Sequence, residues 1–181
     1  MKRILILLAL TACACSQPFN PAKKAMRLVF RHYPDCEKIL MVDVDTVTLG
    51  DNLEYRIKQQ QREVEDAEAD VRMYRRWAKE FRSTKSVAGD YRKRLHEADS
   101  ILNRKKLRLS AMDSLKAATL DIAGTPTAYQ VCVAYNYPTN LVWIQMDKDG
   151  TLLKISKSMM DLFFNPGVDM PGYFEIIEKY R

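Results

Sequence analysis

A stripe of nine residues, spaced alternately four and three apart, constrains the fold more than any other feature of this sequence. Its members are Leu53, Ile57, Gln60, Val64, Ala67, Val71, Tyr74, Ala78 and Phe81. A period of 3.5 residues predicts a helix that buries a narrow seam against one partner helix, as in a coiled coil. Asp51 and Glu54 have the spacing of a capping box after Gly50, so we expect this helix to begin at Asp51.

A second, weaker stripe predicts the partner helix, beginning near Asp90 after Gly89. Its members are Tyr91, Leu95, Ala98, Leu102, Leu109, Met112 and Leu115, with a polar interruption over residues 103–106. Gly124 and Pro126 end the helical pattern. Two arms of about 30 residues, each about 45 Å long at 1.5 Å per residue, predict an antiparallel hairpin over residues 51–119. In this hairpin Leu53 would lie near Leu115 and Phe81 near Tyr91.

The distal end of the predicted hairpin, residues 72–94, is strongly basic. Nine Lys or Arg residues stand there against Glu80 and Asp90, a net charge of +7, compared with +6 for the whole chain. We expect it to bind an anionic surface or an acidic partner. The side chains predicted to do so are Arg72, Arg75, Arg76, Lys79, Arg82, Arg92, Lys93 and Arg94. The simpler alternative is a solvated coiled-coil surface whose charges only maintain solubility.

The first thirteen residues have the form of an export signal. Lys2 and Arg3 precede seven apolar residues, fewer than the ~20 that span a bilayer but typical of a signal peptide. The sequence Leu10-Thr11-Ala12-Cys13 resembles the lipobox of bacterial lipoproteins. The resemblance implies a signal peptide over residues 1–12, cleavage before Cys13 and acylation of its thiol and amino groups. The alternative is an ordinary secretory signal cleaved nearby.

The same resemblance implies a location in the bacterial cell envelope. Residues 13–20 would be a lipidated tether, and acyl chains contribute ~0.8 kcal/mol per buried CH₂ to membrane anchoring. Residues 14–17 contain neither the acidic run that directs some lipoproteins to the cell surface nor the aspartate that retains others in the inner membrane. We therefore expect attachment to the outer membrane, facing the periplasm. An exported chain of this kind is not expected to bind nucleic acid.

Residues 21–50 and 120–181 predict a small α+β body around the hairpin. Residues 22–33 have the apolar face of a helix, formed by Ala25, Met26, Val29, Phe30 and Tyr33. Four later segments alternate as strands: 39–49, with Leu40, Val42 and Val44 on one face, 128–137, 141–146 and 151–156. Asp149-Gly150 predicts the turn before the last strand. The predicted fold class is α+β, with an N-terminal helix on a small antiparallel sheet of about four strands. The long antiparallel helical hairpin is inserted after the first strand, and the element order is similar to the cystatin-like plan.

Cysteines and carboxylates are the candidates for chemistry in this body. Cys36 and Cys132 could form a disulfide in an oxidising compartment or be two small buried apolar residues. Asp43 and Asp45 are two residues apart on a predicted strand, so both carboxylates point to the same face. They could be an acid–base pair or part of a solvated sheet face. With two histidines in the chain and no catalytic motif, we expect no metal site, no cofactor and no enzyme activity.

These features lead to one principal hypothesis about function and two alternatives. The principal hypothesis is a lipid-anchored envelope protein that acts as an adaptor or scaffold, with the hairpin as an arm that binds a protein or an anionic envelope component. The first alternative is an envelope ligand-binding domain or hydrolase that uses the sheet face around Asp43 and Asp45. The second is self-association through the helical seam, in which arms of different chains would pair.

Overall fold

A computed structural model of the chain describes residues 19–83, 85–136, 140–158, 165 and 167–181. Its elements are α1 (Pro21–His32), β1 (Ile39–Thr48), α2 (Leu49–Glu80), α3 (Lys85–Ala118), β2 (Pro126–Tyr135), β3 (Asn140–Asp147), β4 (Leu152–Ser156) and α4 (Tyr173–Lys179). The predicted α+β class is confirmed, and the long hairpin of α2 and α3 follows directly after β1.

The described chain divides into two compact units. The first contains α1, β1 up to Asp45, β2 from Ala128, and then β3 and β4. The second contains Thr46–Thr127 and the C-terminal segment with α4. The sequence analysis assigned the C-terminal segment to the α+β body, whereas in the structure it belongs to the unit of the hairpin. Each unit has its own cluster of buried apolar side chains.

The four described strands form one sheet in the order β1-β2-β3-β4. Strands β2 and β3 pair antiparallel, with Val131 opposite Ile144, and β4 returns antiparallel along β3. The predicted turn before β4 is confirmed. Gly150 adopts a φ of +83° there, which glycine accepts without steric penalty, and the Asp147 carboxylate accepts a hydrogen bond from the amide of Thr151 (2.7 Å).

Helix α1 packs on one face of this sheet. The buried side chains of the shared core are Ala25, Leu28, Val29, Cys36, Val131, Val133, Val142, Ile144 and Met146. The sequence analysis placed Phe30 on the buried face of α1, but Phe30 is 52% exposed and Leu28 is buried in its place. Ala25, Leu28 and Val29 have the i, i+3, i+4 spacing of a single helix face, so position 30 points away from the sheet.

Helix α2 begins two residues earlier than predicted, at Leu49. Its capping box consists of Thr48 and Asp51. The Thr48 hydroxyl accepts a hydrogen bond from the Asp51 amide (3.2 Å), and the Asp51 carboxylate accepts one from the Thr48 amide (2.8 Å). Gly50 therefore lies inside the first turn. A Cβ there would lie 3.1 Å from the carbonyl oxygen of Ala123, so glycine permits this close approach.

Helix α3 begins at Lys85, before the predicted start near Asp90. Gly89, which the sequence analysis interpreted as a break, lies within the helix at a position where a Cβ would meet nothing within 4 Å. A glycine inside a helix costs about 1 kcal/mol relative to alanine. Burial of the neighbouring Ala88, which is 3% exposed, favours the helix in spite of that cost.

The C-terminal segment packs on the proximal part of the hairpin, the part nearest β1 and β2 in the chain. The core there consists of Leu53, Ile57, Met112 and Met170, with Leu49, Leu109, Leu115, Ile122, Ala123, Tyr173 and Ile176 packed against it. The predicted proximity of Leu53 and Leu115 is thus confirmed. Gly172 precedes α4 with a φ of +89°, and a Cβ there would lie 3.1 Å from Leu115 Cδ1.

Candidate binding arm

The heptad stripe of α2 is buried along most of its length. Its buried members are Leu53, Ile57, Gln60, Val64, Ala67 and Val71. On α3, Ala88, Ala98 and Met112 are buried, and Tyr91, Leu95, Leu102 and Leu109 are half-buried. The predicted seam therefore lies between the two arms of one chain. Self-association through this seam would require two chains to exchange arms.

A polar layer crosses the seam where the stripe of α3 weakens. Gln60 Nε2 donates a hydrogen bond to the Lys105 carbonyl (3.3 Å), and Arg108 Nη1 donates to Gln60 Oε1 (3.4 Å). Lys105 also pairs with the Glu63 carboxylate (3.6 Å), and Arg108 Nη2 donates to the Tyr180 carbonyl (2.8 Å). Polar residues within an apolar seam specify the register of paired helices. This layer therefore determines which residues meet at the distal end.

The seam becomes aromatic at the distal end. The Phe81 and Tyr91 rings stack with centroids 5.4 Å apart, as the predicted pairing of these residues requires. Trp77 lies 5.5 Å from Tyr91 and 5.8 Å from Tyr74, which completes an aromatic cluster of four rings. Such pairs contribute about 0.5–1.5 kcal/mol each beyond their burial, so the cluster holds the distal parts of the helices together. Phe81 nevertheless remains 38% exposed.

Basic side chains surround this aromatic cluster. All eight residues predicted to bind an anionic partner are exposed: Arg72, Arg75, Arg76, Lys79, Arg82, Arg92, Lys93 and Arg94. The first three form long ion pairs of 3.7–4.0 Å with Glu68, Asp99 and Glu80. The other five form no ion pair with a carboxylate of the described residues. Exposed pairs of this length contribute at most ~1 kcal/mol, so the field around the distal end remains positive.

Closer to the proximal part, carboxylates on α2 compensate the basic residues of α3. Lys106 Nζ lies 2.7 Å from the Glu68 carboxylate, and Lys116 Nζ lies 3.5 Å from that of Glu54. The hydrogen bond from Lys106 lowers the pKa of Glu68. A hydrogen bond from Lys58, followed by the charge of Lys116, lowers the pKa of Glu54. The positive charge of these lysines is therefore neutralised locally, unlike that of the distal end.

A buried polar network, which the sequence analysis missed, connects α2 to the C-terminal segment. Asn52 Nδ2 donates to the Val168 carbonyl (2.6 Å), and Asn52 Oδ1 accepts from the Asn165 amide (2.9 Å). Asn165 Nδ2 donates to the Thr127 carbonyl (3.1 Å), and Thr127 Oγ1 donates to the Val47 carbonyl (3.0 Å). Each polar side-chain atom of Asn52, Thr127 and Asn165 has a partner, so the network offers no free group to a ligand and is structural.

Arg56 and Asp169 form a second connection between α2 and the C-terminal segment. Arg56 Nε and Nη2 donate to the two Asp169 carboxylate oxygens at 3.0 and 3.3 Å, and the guanidinium lies 5.4 Å from the centre of the Tyr173 ring. Burial alone would lower the pKa of Arg56, but its hydrogen bond and ion pair with Asp169 raise it. The guanidinium is thus held as a permanent cation against α4.

The disulfide that was one alternative for Cys36 and Cys132 is absent, because both residues are buried free thiols, as the other alternative requires. Cys36 packs in the core with Val131 and Val133, whereas the side chain of Cys132 lies on the opposite face of β2. The sheet therefore separates the two thiols. Burial raises the pKa of both, and the charge of Asp43 raises that of Cys132 further. Both thiols are therefore protonated and unreactive at neutral pH.

Asp43 and Asp45 are exposed on β1, an edge strand of the described sheet. The Asp43 carboxylate accepts a hydrogen bond from the adjacent Val44 amide (2.9 Å). Leu40 and Val44, which the sequence pattern assigned to one apolar face of the strand, are also exposed, at 55% and 37%. Charged side chains on an edge strand discourage pairing with another chain. These observations favour a solvated sheet face over an acid–base pair.

The lipobox residues Leu10–Cys13 lie outside the described residues, so lipidation of Cys13 stays a prediction. Among the described residues, no group of three or more His, Cys, Asp or Glu side chains could hold a metal ion. In the same part of the chain, no helix is both long enough and apolar enough to cross a membrane.

The candidate functional surface of the hairpin is therefore its distal end, where exposed basic side chains surround four aromatic rings. No protein-family model, no curated protein and no solved structure matches this chain.

Proposed function

We propose that this protein is a lipid-anchored protein of the bacterial cell envelope that acts by binding, with the helical hairpin as its interaction arm. The observation that supports the arm is the set of five exposed basic residues that lack a described carboxylate partner at the distal end: Lys79, Arg82, Arg92, Lys93 and Arg94. A surface that serves only solubility mixes both signs of charge. A patch of one sign attracts a partner of the opposite sign and accelerates the encounter.

The anchor is proposed from the lipobox resemblance at Leu10–Cys13. Lipidation at Cys13 would hold the chain at the outer membrane, facing the periplasm, and confine the hairpin to partners near that surface. In this role the protein is an adaptor or scaffold without catalysis. The buried side chains of Asn52 and Asp169 support that role, since their hydrogen-bond partners among the described residues belong to the same unit.

Replacing Cys13 with serine is expected to abolish fatty-acid attachment and to release the chain from the membrane fraction. Two or more acyl chains make anchoring effectively permanent, whereas a serine provides no thiol for the thioether. Metabolic labelling with an alkyne fatty acid, followed by membrane fractionation, measures both effects. Cys15→Ser is the matched control and should keep the label and the membrane location. If Cys13→Ser remains labelled, the proposed anchor site is wrong.

A photo-crosslinking amino acid at Arg76 is expected to capture a partner in native envelopes, whereas one at Lys58 is not. Both side chains are exposed on α2, at 83% and 65%, but Arg76 lies within the basic distal end and Lys58 lies near the proximal part. The measurement is the yield of crosslinked products on illumination of intact cells. Equal products from both positions, or none from either, would contradict an arm that binds through its distal end.

A shortened hairpin tests the same arm without a crosslinker. Residues 71–99 are replaced by a four-residue Gly-Ser turn, which retains the polar layer of Gln60 and Arg108 and the whole proximal core. Circular dichroism must first show that the shortened chain is folded. Envelope components that co-purify with the intact protein should then be lost. If they co-purify equally with both forms, the hairpin is dispensable and binding occurs through the α+β body.

A further inference from the structure

The distal end combines exposed apolar surface with uncompensated positive charge. Phe81 is 38% exposed at the end of the aromatic cluster, and the side chains of Lys79 and Arg82, its near neighbours in the sequence, are exposed as well. Aromatic rings with one polar group, such as those of Trp and Tyr, concentrate at the headgroup level of bilayers. Long basic side chains can lie along an apolar surface while their charges remain in water. An anionic bilayer surface accommodates both kinds of side chain at once.

The arrangement of the charges favours an extended surface over a single pocket. Arg92, Lys93 and Arg94 are consecutive on α3, so at 3.6 residues per turn they point in directions about 100° apart around the helix. Lys79 and Arg82 add positive charge from the other arm. Charges that point in several directions from the end of a helical hairpin cannot all enter one protein cleft. They can all approach a fluid surface of lipid phosphates.

We infer that the distal end of the hairpin docks on a bilayer rich in anionic phospholipid, with Phe81 and Trp77 at headgroup level. The five uncompensated basic side chains then lie against lipid phosphates. This inference rests on the proposed function, since it names the partner of the interaction arm. Attraction to an anionic leaflet is strong only within about 8 Å at physiological salt, so contact requires the distal end itself to reach the lipid.

The fluorescence of Trp77 provides a direct measurement of this contact. The chain has two tryptophans, so a Trp143→Phe variant leaves Trp77 as the single reporter. The full-length lipidated protein is held in phosphatidylcholine nanodiscs and titrated with vesicles that contain brominated lipids. One set of vesicles contains phosphatidylglycerol and the other only phosphatidylcholine. We expect quenching of Trp77 by the phosphatidylglycerol vesicles alone, and its loss in concentrated salt.

Charge neutralisation at two places distinguishes the distal end from the overall charge of the chain. Each basic residue near an anionic surface contributes about fivefold to partitioning. The variant Arg82→Gln/Lys93→Gln should therefore require about 25-fold more phosphatidylglycerol lipid for half-maximal quenching. Arg62→Gln/Lys116→Gln removes the same charge from exposed positions outside the distal end and should change this concentration less than about twofold on the same basis.

Three results would overturn the inference. The first is equal quenching of Trp77 by both kinds of vesicle. The second is an equal rise, in the two double variants, of the phosphatidylglycerol concentration needed for half-maximal quenching. The third is absence of quenching together with retention of the protein on peptidoglycan sacculi. The last result would identify an anionic polymer as the partner. If crosslinking from Arg76 succeeds while Trp77 is not quenched, the interaction arm stands and the bilayer is the wrong partner. If both fail, the proposed function fails as well.

Discussion

Asn52→Ala is expected to lower the free energy of unfolding of the hairpin unit by about 3 kcal/mol, because it leaves one buried and one partly buried backbone group without their side-chain partner. Asn52 is completely buried. Its side chain binds the Val168 carbonyl at 2.6 Å and the Asn165 amide at 2.9 Å. Neither group gains a new partner from an alanine methyl group. A buried donor or acceptor left unsatisfied costs about 1–3 kcal/mol.

Urea unfolding followed by circular dichroism measures this effect. Asn103→Ala is the matched control, since Asn103 is exposed on α3 and its replacement should change stability by less than about 0.5 kcal/mol. Limited proteolysis provides a local readout, because detachment of the segment from Asn165 onward should expose it to cleavage before the rest of the hairpin unfolds. If Asn52→Ala and Asn103→Ala have equal stability and equal cleavage rates, the network does not hold the C-terminal segment.

The hairpin could be predicted because the pattern of apolar residues that specifies it is periodic and lies within each arm. The stripe from Leu53 to Phe81 repeats every seven residues, and two arms of equal length can fold back in only a narrow range of registers. The pairing of Phe81 with Tyr91 followed from that geometry and is confirmed. The basic distal end was visible for a similar reason, since the ends of both arms are rich in Lys and Arg and the fold brings those ends together.

The errors in helix boundaries arose from tertiary contacts that local rules do not contain. Gly50 looked like a strand break, but it is helical because its amide donates to the Ala123 carbonyl (2.8 Å) and its lack of a Cβ permits that approach. Gly89 looked like a helix start, but it lies at an open position inside α3. Both glycines were interpreted as marking the boundary of a helix, whereas both lie inside one.

The connections to the C-terminal segment could not be predicted, because their members are far apart in the sequence. Asn52 binds Asn165 and Val168, more than 100 positions away, and Arg56 binds Asp169 at a similar separation. A lone Asn beside the first apolar residue of the seam was the only local signal. A polar side chain at such a position indicates that this side of the helix is covered by another segment, but it does not identify that segment.

Asp169→Ala is expected to lower the free energy of unfolding by about 2–3 kcal/mol, because it leaves the Arg56 guanidinium partly buried without its counter-charge. Loss of one member of a fully buried pair costs about 3–5 kcal/mol. The side chain of Arg56 is 23% exposed and that of Asp169 is 5% exposed, so water compensates part of the loss. The Tyr173 ring remains beside the guanidinium but carries no charge to replace the carboxylate.

A double-mutant cycle separates the pair from its surroundings. Each substitution, Arg56→Ala or Asp169→Ala, should destabilise the native chain more than it destabilises a chain that already carries the other one. The difference between the two effects is the coupling energy, which we expect to be about 1–2 kcal/mol. Asp99→Ala is the control, because Asp99 pairs with Arg75 at 3.9 Å on the exposed surface, where such pairs contribute about 0–1 kcal/mol. High salt should weaken the exposed pair and leave the buried one nearly unchanged. Additive single effects would show that Arg56 and Asp169 each pack independently, and that their ion pair does not hold the C-terminal segment.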